Sequence, residues 1–462
     1  MKSDNVPLAA AKAVPQVPAE TSRRAFLSTT AVTAGSLPLL TSPLQAAVHR
    51  QGDETLKVAV IGCGGRGSGA VAQALGTSGP VKLWAMADAF RDRLDVSLGS
   101  LSRGLEKRYD QDAGDVSGRV DVSEDRKFVG LDAYRHAIDS GVEVVIITGP
   151  PAYRPLHFEY AIKAGKHVFM EKPVATDAVG VRRILQTAKL ADEKGLKVGV
   201  GLQRHHQASY LETLRRINNG DIGKLQSLRC YWNTGNPAKK PFPREGLTEL
   251  EYQIRNWYFF TWLSGDHICE QHIHNLDVCN WIMNDHPVSA EGVGGRQVRT
   301  GAEYGQIFDH HAVEYTYANG MKMFSQCRQI PGCVNQVAEF AHGDKGVAEL
   351  SQVQCSIRQG AQEIWKSERK AANPYQVEHD DLFDAIRNNK PYNEAVNGAM
   401  STMTAILGRM ATYSGKRIQW DEAIASELSL TTDAEDWNAA APILPDEDGR
   451  YPVAKPGTTK VL

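Results

Sequence analysis

The chain has 462 residues, a formal net charge of −2, 42% hydrophobic and 23% charged residues. That is a globular composition with too much chain for one ordinary core, so two domains are expected. The balanced charge, with no long basic block, argues against nucleic acid as a partner, and no apolar run is long or pure enough to span a bilayer.

In chain order, residues 1–47 read as an unstructured arm and a twin-arginine export signal. Ser22, Arg23, Arg24, Ala25, Phe26 and Leu27 precede a mildly apolar stretch, 31–44, and the small residues Ala46 and Ala47. Paired arginines, an apolar region and small residues follow in the order such a signal requires. The expected location is the periplasm, reached in the folded state with the cofactor already loaded and tightly held.

Residues 54–202 alternate strands and helices, which predicts a doubly wound parallel sheet. The apolar run 58–61 leads into Gly62-Cys63-Gly64-Gly65-Arg66-Gly67, and 68–75 then reads as a helix. In this G-x-G-x-x-G pattern Gly62 makes the turn, Gly64 admits a pyrophosphate and Gly67 packs helix on strand. Gly65 and Arg66 complete the cradle, and the helix N-terminus faces the phosphate. A second strand, 81–87, ends at Asp88, which lies 21 residues after Gly67, where a ribose-binding carboxylate belongs. Asp88 favours NAD, while Arg91 and Arg93 nearby leave NADP open.

The stretch 89–124 is read as a helix and a loop, and 128–140 as a helical turn. A buried strand, 142–148, ends in Gly149-Pro150-Pro151 at the ligand-binding edge of the sheet, which places Pro150 beside the cofactor. A helix (153–165), a strand (166–170), the triplet Glu171-Lys172-Pro173, a helix (177–194) and a strand (196–202) complete this domain. The seven cysteines (63, 230, 269, 279, 327, 333 and 355) contain no C-x-x-C, so neither a disulfide framework nor a zinc knuckle is indicated. Cys63 reads as a small filler in the glycine turn.

These segments resemble the glucose–fructose oxidoreductase, inositol dehydrogenase and MocA family. The likeness is carried by VAVIGCGGRG (58–67), GPP (149–151) and AGKHVFMEKPVA (164–175). It implies an N-terminal Rossmann domain followed by a C-terminal α/β domain with an open, mainly antiparallel sheet, which carries the substrate and often the oligomer interface. It also implies that Glu171 holds the nicotinamide ribose and that Lys172 is catalytic. By residue type alone Lys172 is a surface lysine paired with Glu171. Near a nicotinamide, an ammonium there can polarise a substrate hydroxyl.

Residues 203–430 form the expected substrate and oligomerisation domain. Arg204 and His205, just past the last Rossmann strand, are substrate-site candidates. A helix (210–219), a strand (225–232) and a loop-rich insertion (233–255) follow, the last a lid or oligomer arm. Next comes WYFFTWLSGDHICEQHIHNLDVCNW (257–281). Aligned with the family on Gly265, Glu270 takes the place of the first acid, His274 of the histidine and Asp277 of the last acid. His274 is then the general base, oriented by a carboxylate, with Lys172 stabilising the alkoxide. Two departures stand out. Glu270 replaces an aspartate, and His272 replaces a small residue, so a more crowded and polar substrate site is expected. Most of the aromatic run reads as core; Trp262 is the candidate for stacking on a sugar ring.

His267, Glu270, His272, His274, Asp277 and the downstream His310-His311 invite a metal reading. No H-E-x-x-H occurs and the family's hydride acceptor is organic, so no metal site is assigned. Strands at 288–297, 312–317, 321–329 and 347–352, and helices at 379–388 and 399–414, complete this domain. The tail, 431–462, is expected to be extended and to wrap a partner subunit. The expected function is hydride transfer between a carbohydrate or polyol hydroxyl and a bound NAD(P), in a homo-oligomer (dimer or tetramer). Two alternatives are a redox-neutral NAD-dependent glycosidase and a non-catalytic ligand sensor.

Overall fold

The apolar runs become strands of two sheets in a computed structural model that describes residues 55–104, 116–237, 239–369, 371–432 and 436–462. The twin-arginine segment lies outside the described residues. Everything described belongs to one unit, residues 46–462.

The first sheet is parallel throughout. It comprises β1 (Leu56–Ile61), β2 (Val81–Asp88), β3 (Lys127–Val129), β4 (Val144–Ile147), β5 (His167–Met170) and β6 (Val198–Val200), in the order β3-β2-β1-β4-β5-β6. Its central strands are buried on both faces, which is why they read as continuous apolar runs rather than alternating ones. Helices α1 (Gly65–Gly76), α2 (Arg91–Ser102), α3 (Ala133–Asp139), α4 (Arg154–Lys163) and α5 (Ala178–Glu193) connect the strands. The strand order reverses between β1 and β4, so a crevice opens beyond their carboxyl ends.

The second sheet has nine strands in the order β14-β13-β12-β11-β7-β10-β9-β8-β15. They are β7 (Leu225–Thr234), β8 (Pro287–Gly295), β9 (His310–Tyr317), β10 (Lys322–Gln329), β11 (Gln336–Gly343), β12 (Val347–Leu350), β13 (Ser356–Gln359), β14 (Gln362–Lys366) and β15 (Ile418–Gln419). Within this sheet only the β7–β10 pair is parallel among the described residues. Burial alternates along it: on β10 Met323, Ser325 and Cys327 are buried while Phe324 and Gln326 are exposed. One face therefore packs on helices and the other is open. The covering helices are α10 (Ile273–Met283) and α12 (Ala395–Ser414).

Helix α6 (Ala208–Asn218) follows the crossing between domains. The insertion 233–255 is not all loop, since it holds α7 (Glu249–Arg255). Thr248 and Glu251 form the reciprocal capping box that starts this helix, a signal already present in the sequence. Short α8 (Thr261–Ser264) and α9 (His267–Glu270) lead to α10. Strands β11, β13 and β14 also escaped the sequence reading.

After the second sheet the chain returns to the first domain. Helix α11 (Pro374–Arg387) packs on α1, and α12 packs on α5. Val198 N donates to Tyr392 O at 3.0 Å and Glu394 N to Val198 O at 2.9 Å. A short helix, α13 (Trp420–Ala425), precedes the tail. The described tail residues lie on their own chain rather than away from it. Tyr451 meets Phe260 edge-on at 4.7 Å, Trp437 sits 5.3 Å from Phe90, and Gly457 N donates to Ser414 O at 2.7 Å.

Candidate functional site

β1 ends at Ile61 and the chain turns through Gly62 at φ +97°. A Cβ there would collide with Gly149 N, and one at Gly67 would collide with Gly62 O. A Cβ on Gly64 would meet nothing within 4 Å. Two glycines are thus demanded by close packing, and the third leaves an open surface. No acidic side chain and no capping hydrogen bond occupies the first turn of α1, so its N–H groups and positive dipole end face the crevice. Thr148 Oγ1 donates to Gly62 O at 2.6 Å and ties the turn to the end of β4.

Asp88 closes β2 and accepts from Cys63 N at 2.6 Å and Phe90 N at 2.9 Å. Burial raises its carboxyl above the ordinary range. Gly62, Gly64, Gly65, Arg66, Gly67, Asp88 and Pro150 all line one cleft of about 1280 Å³. An open glycine cradle with a carboxylate at the next strand end fits a dinucleotide. Arg91 is taken up by Asp95 at 3.1 Å and Glu124 at 2.6 Å, whereas Arg93 lines the cleft.

The opposite wall comes from the second domain, through Lys239, Lys240, Phe242 and residues 254–259. Arg255 clasps the two sides. It pairs with Asp92 at 3.0 Å and lies 3.9 Å over the ring of Phe90. The insertion therefore covers the cleft, in the manner of the expected lid.

Beyond the cradle, Arg66 reaches Glu171 and Glu378 and lies 4.8 Å over Tyr375. Glu171 is buried in that pairing. The next residue, Lys172, donates from Nζ to the carbonyl of Glu270 at 2.5 Å and sits 3.7 Å from Glu270 Oε1. A lysine of the first domain thus meets the last residue of α9. His274 follows in the first turn of α10, its ring stacked on Trp232 of β7 at 5.9 Å. Its Nδ1 is buried without a hydrogen-bond partner. Burial, then the positive charges of Lys172, Arg204 and Arg66, hold His274 well below the ordinary imidazole range, so it is neutral at pH 7.

Several candidates are placed elsewhere. Asp277 does not orient His274. It accepts from Ser401 Oγ at 2.8 Å and Asn397 Nδ2 at 3.2 Å, and its other oxygen is 2.8 Å from His205 Nε2. Asp277 lies three positions after His274 on α10, yet α12 supplies the partners of its carboxylate. His205 also stacks on Trp281 at 4.1 Å. Burial lowers its pKa most, but the charge and hydrogen bond of Asp277, together with the Glu394 charge, outweigh this and the net shift is upward.

Arg204 is fully buried and paired with Glu339, whose other partners are Asn275 and Tyr210. It is a structural cation, not a free substrate ligand. His272 does not crowd the substrate site either. It points into the second sheet, with Nε2 2.7 Å from Ser325 Oγ and 3.8 Å from Cys230 Sγ. Trp262 is buried, donates to Gln253 Oε1 at 2.7 Å and packs edge-on against Tyr153, so it offers no open face to a sugar.

Some contributors escaped the sequence reading. Buried Arg154 donates to Gly149 O at 2.9 Å and to Pro173 O, tying the Gly149-Pro150 loop to the turn that carries Lys172. Burial pulls its guanidinium down to about 10. Trp232 and Glu378 are as invisible locally, because each acts through a contact far away in sequence. Arg154 had one signal: a charged residue three positions after Pro151, at the Pro-rich strand end.

A family model described as "Oxidoreductase family, NAD-binding Rossmann fold" matches residues 56–202, and a GFO/IDH/MocA C-terminal domain model matches residues 210–349. The inositol 2-dehydrogenase of Ralstonia nicotianae is 25% identical over 347 residues, spanning 72% of this chain and 86% of that protein. That of Pseudomonas fluorescens is 30% identical over 262 residues, spanning 53% of this chain and 67% of that protein. Among solved structures, the scyllo-inositol dehydrogenase of Lactobacillus casei with bound NAD(H) and scyllo-inositol superposes with a TM-score of 0.58 at 18% identity. It covers 80% of this chain and 100% of the other. That last likeness concerns the fold.

Proposed function

The chain belongs to the GFO/IDH/MocA family of NAD-dependent oxidoreductases acting on CH–OH groups, and from that premise we propose that its substrate is a cyclic polyol or sugar whose ring hydroxyl meets Lys172 and His274. The observation that carries the reading is the contact of Lys172 with Glu270, four residues before His274. The contact holds the Lys172 amine against the segment that leads into α10, and the Lys172 charge acts on the His274 ring.

Bound NAD would supply the hydride acceptor, and the cradle, Asp88 and Glu171 are the residues to hold it. The chain's own part is the proton. Neutral His274 accepts the hydroxyl proton, and the Lys172 ammonium stabilises the forming alkoxide. Glu270, 3.7 Å from Lys172 Nζ, holds the amine in place. The inositol dehydrogenase relatives support ring hydroxyls as the chemical class.

The test is reduced-nicotinamide absorbance on adding myo-inositol, scyllo-inositol, glucose or glycosides to NAD-loaded protein. Net reduction with at least one of them, lost in Lys172→Ala while NAD binding survives, is expected. Aglycone release without net absorbance change would replace this reading by the redox-neutral one. Twin-arginine export, suggested by Arg23 and Arg24, is part of the proposal and is checked by fractionating cells that carry Arg23→Lys/Arg24→Lys. So is a homo-oligomer through the open sheet face, where Val293 and Phe324 are exposed; its mass in solution decides it.

A further inference from the structure

A second polar cluster lies under the catalytic turn and takes no part in the chemistry above. Asp266 and His267 begin α9, and His311 lies on β9. All three side chains are completely or almost completely buried. One ligand atom from each lies within 4.8 Å of the other two. Asp266 Oδ1 is 3.5 Å from His311 Nε2 and 4.0 Å from His267 Nε2.

The hydrogen bonding is incomplete in one direction only. Asp266 Oδ2 accepts from Tyr413 OH at 2.6 Å and Phe308 N at 2.9 Å, and Oδ1 accepts from His267 N. His267 has no partner on either ring nitrogen, and His311 has none on Nε2. Both ring nitrogens of buried His267 therefore lack hydrogen-bond partners, and His311 Nε2 has only its 3.5 Å approach to Asp266 Oδ1, a carboxylate that neither Lys nor Arg hydrogen-bonds among the described residues. Buried polar groups in native folds are seldom left so. The remaining nitrogen of His311, Nδ1, is 2.9 Å from Thr412 Oγ1. That is the outer hydrogen bond which fixes a metal-binding histidine with Nε2 unprotonated.

We propose that Asp266, His267 and His311 bind one divalent transition-metal ion of the zinc class. Tetrahedral zinc ligands at their usual bond lengths stand about 3.4 Å apart. The 3.5 Å edge matches this, while the 4.0 Å edge and the edge between the two imidazoles, within 4.8 Å, have to close by ring rotation when the ion binds. Two neutral imidazoles and one carboxylate suit such an ion, with a water in the fourth position. Asp266 adopts φ +72°, a conformation rarely taken by residues other than glycine and retained where surroundings demand it. The ion would pin the start of α9 to β9 and so hold Glu270 and His274 in place. It is distinct from every residue assigned to hydride transfer, and it does not rest on the substrate reading.

The test is elemental analysis of the full-length chain produced in zinc-containing medium and purified without chelator. One zinc per chain is expected, with visible d–d absorption after cobalt replacement. Stripping the metal should lower Tm, and zinc should restore it. Thr412→Val, nearly isosteric, should weaken zinc binding about 10–100-fold by freeing His311. A folded wild-type chain without metal, after refolding in zinc as well, would overturn the proposal. So would full zinc occupancy in the His267→Asn/His311→Gln double variant. If that variant does not fold, the wild-type occupancy and the Thr412→Val affinity still decide. Metal content is read without turnover, so an inactive but metal-loaded protein would indict only the substrate reading.

Discussion

The cradle at 62–67 and the turn at 266–277 are built in opposite ways. The cradle is backbone: three glycines, a helix N-terminus and one carboxylate 21 positions on. The turn is side chains that meet only because distant segments arrive there. Lys172 comes from the other domain, Trp232 from β7, and Ser401 and Asn397 from α12. A backbone device tolerates few substitutions but needs few partners. A side-chain device depends on many remote contacts, and any one of them can redirect a residue.

That contrast can be broken experimentally. The largest effect is expected in the turn: His274→Asn should lower kcat roughly 10²–10⁴-fold with NAD affinity unchanged. NAD titration by protein fluorescence, beside turnover, separates the two. The cradle should split differently. Gly62→Ala must place a Cβ against Gly149 N at a positive φ, so it should cost about 1–3 kcal/mol of stability or more, read as a fall in Tm. Gly64→Ala faces open space and should leave Tm alone while weakening NAD binding. If both glycines behave alike, the cradle's division of labour is wrong.

Asp88→Ala should weaken NAD binding roughly 10–100-fold, the loss of hydrogen bonds to a charged acceptor. It should favour NADP relative to wild type because Arg93 remains in the cleft. Arg91→Ala, whose partners are Asp95 and Glu124, should leave the NAD/NADP ratio unchanged. The pH dependence sharpens the comparison last. Burial and nearby cations depress His274, so its basic form persists as pH falls through about 6.5, the ordinary imidazole value. The acid limb of kcat/KM should therefore lie below that value. A limb at the ordinary value would mean that His274 is solvated or is not the base.

Much of the first sheet was legible because each strand is a local apolar run and each glycine acts on its neighbours. Asp88 could be placed from its spacing after Gly67, and Pro150 from its position at a strand end. The second domain was legible only in outline. Arg204 sits beside the domain crossing, as a substrate ligand would, but its partner Glu339 lies 135 positions away and buries it. His272 faces the sheet because Ser325 and Cys230 receive it there. Trp262 is lost to Gln253. Nothing within a short window of sequence encodes those pairings. Of the cluster at Asp266, His267 and His311, both histidines stood among the possible ligands read from sequence but Asp266 did not, since the histidine-rich stretch points its members in different directions.

The most direct test of the central claim, that two domains contribute one proton relay, is a double-mutant cycle on Lys172 and His274. Single-turnover reduction of bound NAD is followed in Lys172→Ala, His274→Asn and the double variant. The account predicts a large loss in each single variant and little further loss in the double, because residues acting as a unit are not additive. Unimpaired reduction in either single variant, with NAD still bound, would contradict it.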